Sequence, residues 1–153
     1  MSMTQARRKP LFEASAYVPV PLADLIPRLV RLEAGPVNPT TAPILAGSGS
    51  GVEDRAGWTI SGGPNLFDVH ANGVHMLHMD IDRDRHTIGM QGHWWYRGEY
   101  ALVAEPPGTR LVHRVYNVAE RGRWAVPLAN RMFAGFQEKT QQAVDAMAAS
   151  LTP

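Results

Sequence analysis

Between Leu66 and Ala119 the chain alternates short β-prone runs with turn signals, and beyond Arg121 it changes period. Leu66 to His70 is a short strand, and Ala71-Asn72-Gly73 carries the Asn-Gly pair that suits a tight hairpin. Val74 to Asp82 alternates, Arg83-Asp84 marks a reversal, and His86 to Gln91 returns with Ile88 and Met90. Trp95 to Glu105 is a long strand, Pro106-Pro107-Gly108 a turn, and Thr109 to Ala119 the strand back. Period-two segments joined this closely pair with their neighbours, so the expectation is an antiparallel meander.

After Arg121-Gly122-Arg123, Leu128, Met132, Phe136, Ala143, Val144, Met147 and Leu151 fall on one helical stripe. A helix over 126–151 would reach nearly 40 Å at about 1.5 Å per residue. The sheet cannot bury its concave face against itself, so the terminal helix is expected to cover it, with a pocket between the two.

The first third is less regular. Leu11 to Val18 reads as a strand. From Leu22 to Leu32 the apolar residues take helical spacings, with Pro27 predicting a short, kinked or restarted helix and Gly35-Pro36 its end. Four prolines punctuate 35–65, where Trp58 to Ile60 reads as a strand and Ile44-Leu45 as a helical turn. A structureless loop of that length is improbable in a small domain, so some element is expected there.

At 153 residues the chain fits one domain, with 1–10 expected to be a flexible tail. A formal charge of +1 supplies no global field for nucleic acid or an anionic membrane. No cysteine is present, which excludes a disulfide scaffold, a thiolate metal site and a cysteine nucleophile. The basic start is not followed by a continuous apolar run, and no stretch reaches the roughly 18 apolar residues of a membrane span. The default location is the cytoplasm.

The run from Gly98 to Val118, GEYALVAEPPGTRLVHRVYNV, followed by a tryptophan and then a long helix, resembles the back half of the START-related helix-grip proteins. This SRPBCC superfamily includes polyketide cyclase/dehydrase-like proteins and the major pollen allergens. The resemblance covers about residues 94 to 150, more weakly 11 to 33, and departs over 35–65. It implies an α+β helix-grip fold, a curved antiparallel sheet around a C-terminal helix. It also implies an apolar cavity for lipids, sterols, polyketides or other small hydrophobic molecules, in carriers, sensors and enzymes alike.

Strand parity then selects residues. With Arg97, Glu99, Arg110 and Arg114 outside, Tyr96, Gly98, Tyr100, Leu102, Leu111, His113, Val115 and Asn117 face the helix. The earlier strand adds His75, Leu77, Met79 and Ile81. A one-residue bulge near Gly92-His93 would reverse this and bring Trp95, Arg97 and Glu99 inside. The expected ligand-binding set is His75, Leu77, Met79, Met90, Tyr96, Leu102, Leu111, Val115, Met132 and Phe136. His93, Trp94 and Trp95 either line a ligand's rings or cap the core.

Two functions fit. One is a cofactor-independent cyclase/dehydratase-type enzyme acting on a hydrophobic, carbonyl-bearing, polyketide-like molecule. His113 would be its general base or acid, and Asn117 or Tyr100 its oxyanion donor. The other is a non-catalytic binding or transport protein for a hydrophobic small molecule or lipid. Neither needs a cofactor, and the oligomeric state is open between monomer and homodimer. No metal site is expected: on a strand, His75 and His78, three apart, fall on opposite faces, and His70, His86 and His93 have no partner spacing. Gly47-Ser48-Gly49-Ser50-Gly51 lacks both the P-loop ending and the spacing of a serine elbow, and reads as a mobile loop.

Overall fold

The computed structural model describes residues 9–47, 56–126 and 135–153. The elements run β1 (Phe12–Val18), α1 (Leu22–Leu29), β2 (Gly35–Pro36), α2 (Pro43–Gly47), β3 (Trp58–Gly62), β4 (Leu66–Ala71), β5 (Val74–Asp82), β6 (Thr87–Gln91), β7 (Tyr96–Glu105) and β8 (Gly108–Asn117). A 3₁₀ turn at Arg123–Ala125 and the helix α3 (Phe136–Leu151) follow. The strands form one antiparallel sheet in the order β1-β8-β7-β6-β5-β4-β3-β2. A curved antiparallel sheet with a C-terminal helix is the helix-grip arrangement.

Local chemistry sets the turns. Asn72 and Gly73 have φ of 50° and 83°, the left-handed pair that a two-residue hairpin between β4 and β5 requires. Pro106 and Pro107 form the two-residue link between the paired Glu105 and Gly108. In 35–65, Asn38 Oδ1 accepts from the amides of Thr40 and Thr41, an Asx turn that carries the chain from β2 into α2. The hidden element is therefore present, as β2, α2 and β3. α1 is short, with Asp24 in its first turn, Arg28 in its last and Pro27 inside it. It ends at Leu29 rather than Leu32.

The core lies on one face of the sheet, under α1, α2 and α3. Val18, Leu25, Val69, Leu111 and Val144 are fully covered there, with Met79 and Ile88 almost so.

The terminal helix departs from expectation. It begins at Phe136, because Gly135 has φ 81°, a value outside any right-handed helix. Leu128, Met132 and the rest of 127–134 lie outside the described residues. α3 packs chiefly on β1, less on β8. Val144, Met147, Ala148 and Leu151 enter the core, whereas Phe136 is half-buried and sits ring to ring with Phe12, centroids 4.7 Å apart. Two glutamines one turn apart fasten the helix to β1: Gln137 Nε2 donates to the Glu13 carbonyl at 2.7 Å and Gln141 Nε2 to the Ser15 carbonyl at 2.8 Å.

Candidate functional site

The centre of the core face is built by β7 and β8. Their register pairs Tyr96 with Asn117, Gly98 with Val115, Tyr100 with His113 and Leu102 with Leu111. These positions point to the core, and the expected parity holds through Gly92-His93. Arg97 and Glu99 are on the opposite face, where Arg97 forms a bidentate pair with Asp80 at 2.7 and 2.9 Å and also reaches Glu99. Even there Arg97 is buried, its guanidinium lying over Gly89.

His113 is 6% exposed and lies nearly parallel to the Tyr100 ring, centroids 4.0 Å apart. Its Nδ1 is 3.1 Å from the Glu99 carbonyl, which can only accept, so Nδ1 carries the proton and Nε2 is the basic nitrogen. Burial pushes the imidazole pKa down to about 4, against a smaller upward pull from that hydrogen bond. The same desolvation holds the Tyr100 and Tyr96 phenols above their ordinary value, with the nearby Tyr96 adding to the effect on Tyr100. All three groups are thus neutral at physiological pH. Gly98 makes the room: a Cβ there would stand 2.5 Å from the Tyr96 hydroxyl and 3.1 Å from His113 Cε1. Asn117 is tied up locally, its Oδ1 accepting from the Ala119 amide at 3.1 Å beyond the end of β8.

Beside this cluster, under α1 and α2, is a cleft of about 180 Å³ lined by Leu29, Val30, Ile44, His86, Ile88, Tyr100, Leu102 and Leu111. Most of that space is open to solvent; the enclosed part is about 10 Å³, room for about one water molecule and far below the roughly 300–1,000 Å³ of a small-molecule pocket. Of the expected ligand-binding residues it gathers Leu102 and Leu111, with Tyr100 from the expected catalytic set. Met79, Met90 and Val115 are buried in the core away from it, Leu77 and Tyr96 are half-buried elsewhere, Phe136 is on the β1 side, and Met132 lies outside the described residues.

His86 is the lining residue that sequence reasoning missed. It follows the β5–β6 reversal with φ 53°, and its Nδ1 is buried with no hydrogen-bond partner among the described residues. Most buried polar atoms are paired, so this one stands out. A histidine at the end of Arg83-Asp84-Arg85 carries no sequence signal of burial, because the cover comes from α1 and α2.

His75 is a correction. The β4–β5 register shifts between Val69 and His70: Val69 pairs with Leu77, but His70 pairs with His75, leaving Met76 over as a bulge. The extra residue turns His75 away from the core, onto the side where His78 sits. Both rings reach Oδ1 of Asp68, so the expectation of opposite faces fails for this pair. Asp68, His75 and His78 are the residues placed to hold a metal ion among those described. The aromatic run also divides: His93 turns to His75, Trp94 donates Nε1–H to the Arg121 carbonyl at 3.1 Å, and Trp95 meets Tyr96 edge to face.

No family model matches the sequence, and no curated protein matches it. The chain is similar in fold to several solved structures. With Ara h 8.0201 it shares 18% identity over 92% of this chain and 95% of the other, TM-score 0.47. With TTHA0849 from Thermus thermophilus the figures are 17%, 92%, 95% and 0.44. With the Zhui aromatase/cyclase from a Streptomyces species they are 15%, 91%, 91% and 0.45. Among the described residues no helix is long and apolar enough to cross a membrane.

Proposed function

We propose that the protein binds a compact, largely apolar molecule bearing a hydroxyl or carbonyl group, in the cleft beneath α1 and α2. The observation that carries this reading is His86 Nδ1, a buried imidazole nitrogen without a partner among the described residues, on the same apolar cleft as the Tyr100 ring. A ligand oxygen held there would satisfy that atom, while Leu29, Ile44 and Leu102 cover the apolar body. One or two polar groups in an apolar wall fix orientation without a large cost of desolvation. The enclosed space takes about one water-sized group, so the ligand oxygen fits it as it stands and the apolar body requires the Leu29, Ile44 and Leu102 side chains to part.

Acid/base catalysis of the cyclase/dehydratase kind has one observation in its favour. His113 Nε2 makes no hydrogen bond among the described residues, and its ring edge converges with the Tyr96 phenol on Gly98. A pKa of about 4 makes that nitrogen a weak base at neutral pH, so binding is the reading the geometry supports better.

The test uses 2-naphthol and 2-tetralone as hydroxyl and carbonyl probes, followed by amide chemical shifts. Saturable changes should centre on residues 86–88 and 100–102. His86→Phe and Tyr100→Phe should each weaken binding by the worth of one hydrogen bond, about 0.5–1.5 kcal/mol. Shifts confined to other parts of the chain, or none at all, would refute the cleft as the site. His113→Phe separates the readings: loss of turnover by roughly 10²–10⁴-fold with binding retained indicates catalysis, and a modest change in affinity alone indicates a binder.

A further inference from the structure

We propose that Asp68, His75 and His78 form a site for one divalent transition-metal ion of the zinc class, on the face of the sheet opposite the core. The three come from neighbouring strands, Asp68 from β4 and both histidines from β5, and the Met76 bulge brings them together. His75 Nε2 is 2.9 Å and His78 Nδ1 2.7 Å from the same carboxylate oxygen, and the three donor atoms all lie within 4.8 Å of one another. A tetrahedral ion with bonds of about 2.0–2.1 Å places its donors about 3.3 Å apart. Each nitrogen therefore needs to draw back from the oxygen by only about half an ångström. The groups are free to do so, since the side chains of His78, Asp68 and His75 are 62%, 47% and 26% exposed.

The donor set decides which ion. Two imidazole nitrogens and one carboxylate oxygen suit zinc, cobalt, nickel, copper or ferrous iron, whereas calcium and magnesium favour shells made wholly of oxygen. His93 completes the arrangement as a positioning residue. Its Nε2 is 3.1 Å from His75 Nδ1, so once His75 Nε2 takes the metal, Nδ1–H is left to donate to His93. A ligating histidine is commonly oriented by such a bond on its other nitrogen. His93 sits between β6 and β7, so an ion here would clamp the β4–β5 hairpin to the β6–β7 connection. Remaining coordination positions face solvent and would hold water.

The experiment is a titration of the full chain, carrying no polyhistidine tag, with zinc chloride by calorimetry and by thermal melting. The expected result is one ion per chain, a melting temperature that rises with zinc, and no displacement by excess magnesium chloride. Asp68→Ala, His75→Ala and His78→Ala should each lose at least about tenfold in affinity. His78 is the most exposed, so His78→Ala should melt without zinc as the unaltered protein does. With cobalt chloride, His93→Ala should alter the visible d–d bands and weaken binding by about 10–100-fold, and His93→Gln should restore both. Absence of saturable uptake, or uptake that none of the three ligand substitutions changes, would overturn the proposal.

Discussion

The imidazole of His113 and the phenol of Tyr100 lie stacked with planes 21° apart, directly opposite each other on β8 and β7. The pairing keeps the histidine proton on Nδ1, facing the Glu99 carbonyl, and removes the ring from water. A charged imidazole in that position would lose its hydration with no carboxylate to replace it.

Stability should therefore fall in acid through this residue. The folded value of about 4 is below the ordinary 6.5, so between these pH values the unfolded chain binds a proton that the native chain does not. The loss begins as pH drops through 6.5 and is complete below about 4, on the order of 3 kcal/mol at most. Urea unfolding of the native chain and of His113→Gln at pH 7, 5.5 and 4.5 checks this. Native carboxylates act in the same direction, so the informative quantity is the difference between the two chains; parallel pH profiles would contradict the assignment.

Gly98→Ala should destabilise by about 1–3 kcal/mol, because the new methyl group collides with the Tyr96 hydroxyl and the edge of His113. Removing the hydroxyl as well, in Gly98→Ala with Tyr96→Phe, should recover part of that cost. Denaturant midpoints of the two variants decide it, and a Gly98→Ala protein as stable as the parent would mean that the notch is not tightly filled.

The buried Arg97 makes a sharper case on the other face. Asp80→Ala leaves an arginine side chain only 9% exposed with Glu99 as its remaining carboxylate, and should cost about 3 kcal/mol. Replacing both partners, as Asp80→Leu with Arg97→Met, should cost less than Asp80→Ala alone. The reverse order in equilibrium unfolding would show that the pair is worth more than its desolvation.

Phe12 and Phe136 should be coupled. Each is half-buried, so Phe136→Ala is expected to cost less than Met147→Ala, whose side chain lies within the core. A double-mutant cycle on Phe12 and Phe136 should return about 0.5–1.5 kcal/mol of interaction. A coupling near zero would mean that the two rings pack independently.

What could be read from the residues alone depended on how local its cause was. The Asn72-Gly73 hairpin is legible because two residues suffice to define it. The parity of β7 is legible because charged Arg97 and Glu99 alternate with Tyr96, Gly98 and Tyr100. His75 was not, because the Met76 bulge has no residue signature: a strand with one extra member looks like a strand. The apolar stripe gives no sign of the helix start at Phe136, because it runs on past Gly135, whose backbone conformation is not helical. His86 escaped notice for a different reason, since its burial depends on helices some forty and sixty positions earlier in the chain.

The glutamine pair on α3 has a consequence for life at high concentration. β1 is the last strand of the sheet, and the carbonyls of Glu13 and Ser15 point away from β8, where another chain could dock as a ninth strand. Gln137 and Gln141 occupy them, and at the other border β2 is two residues long and ends in a proline. Both rims are thus poor templates for intermolecular pairing. Conditions that peel α3 away would uncover seven residues of ready-made strand and offer them to other chains as a seed for polymers.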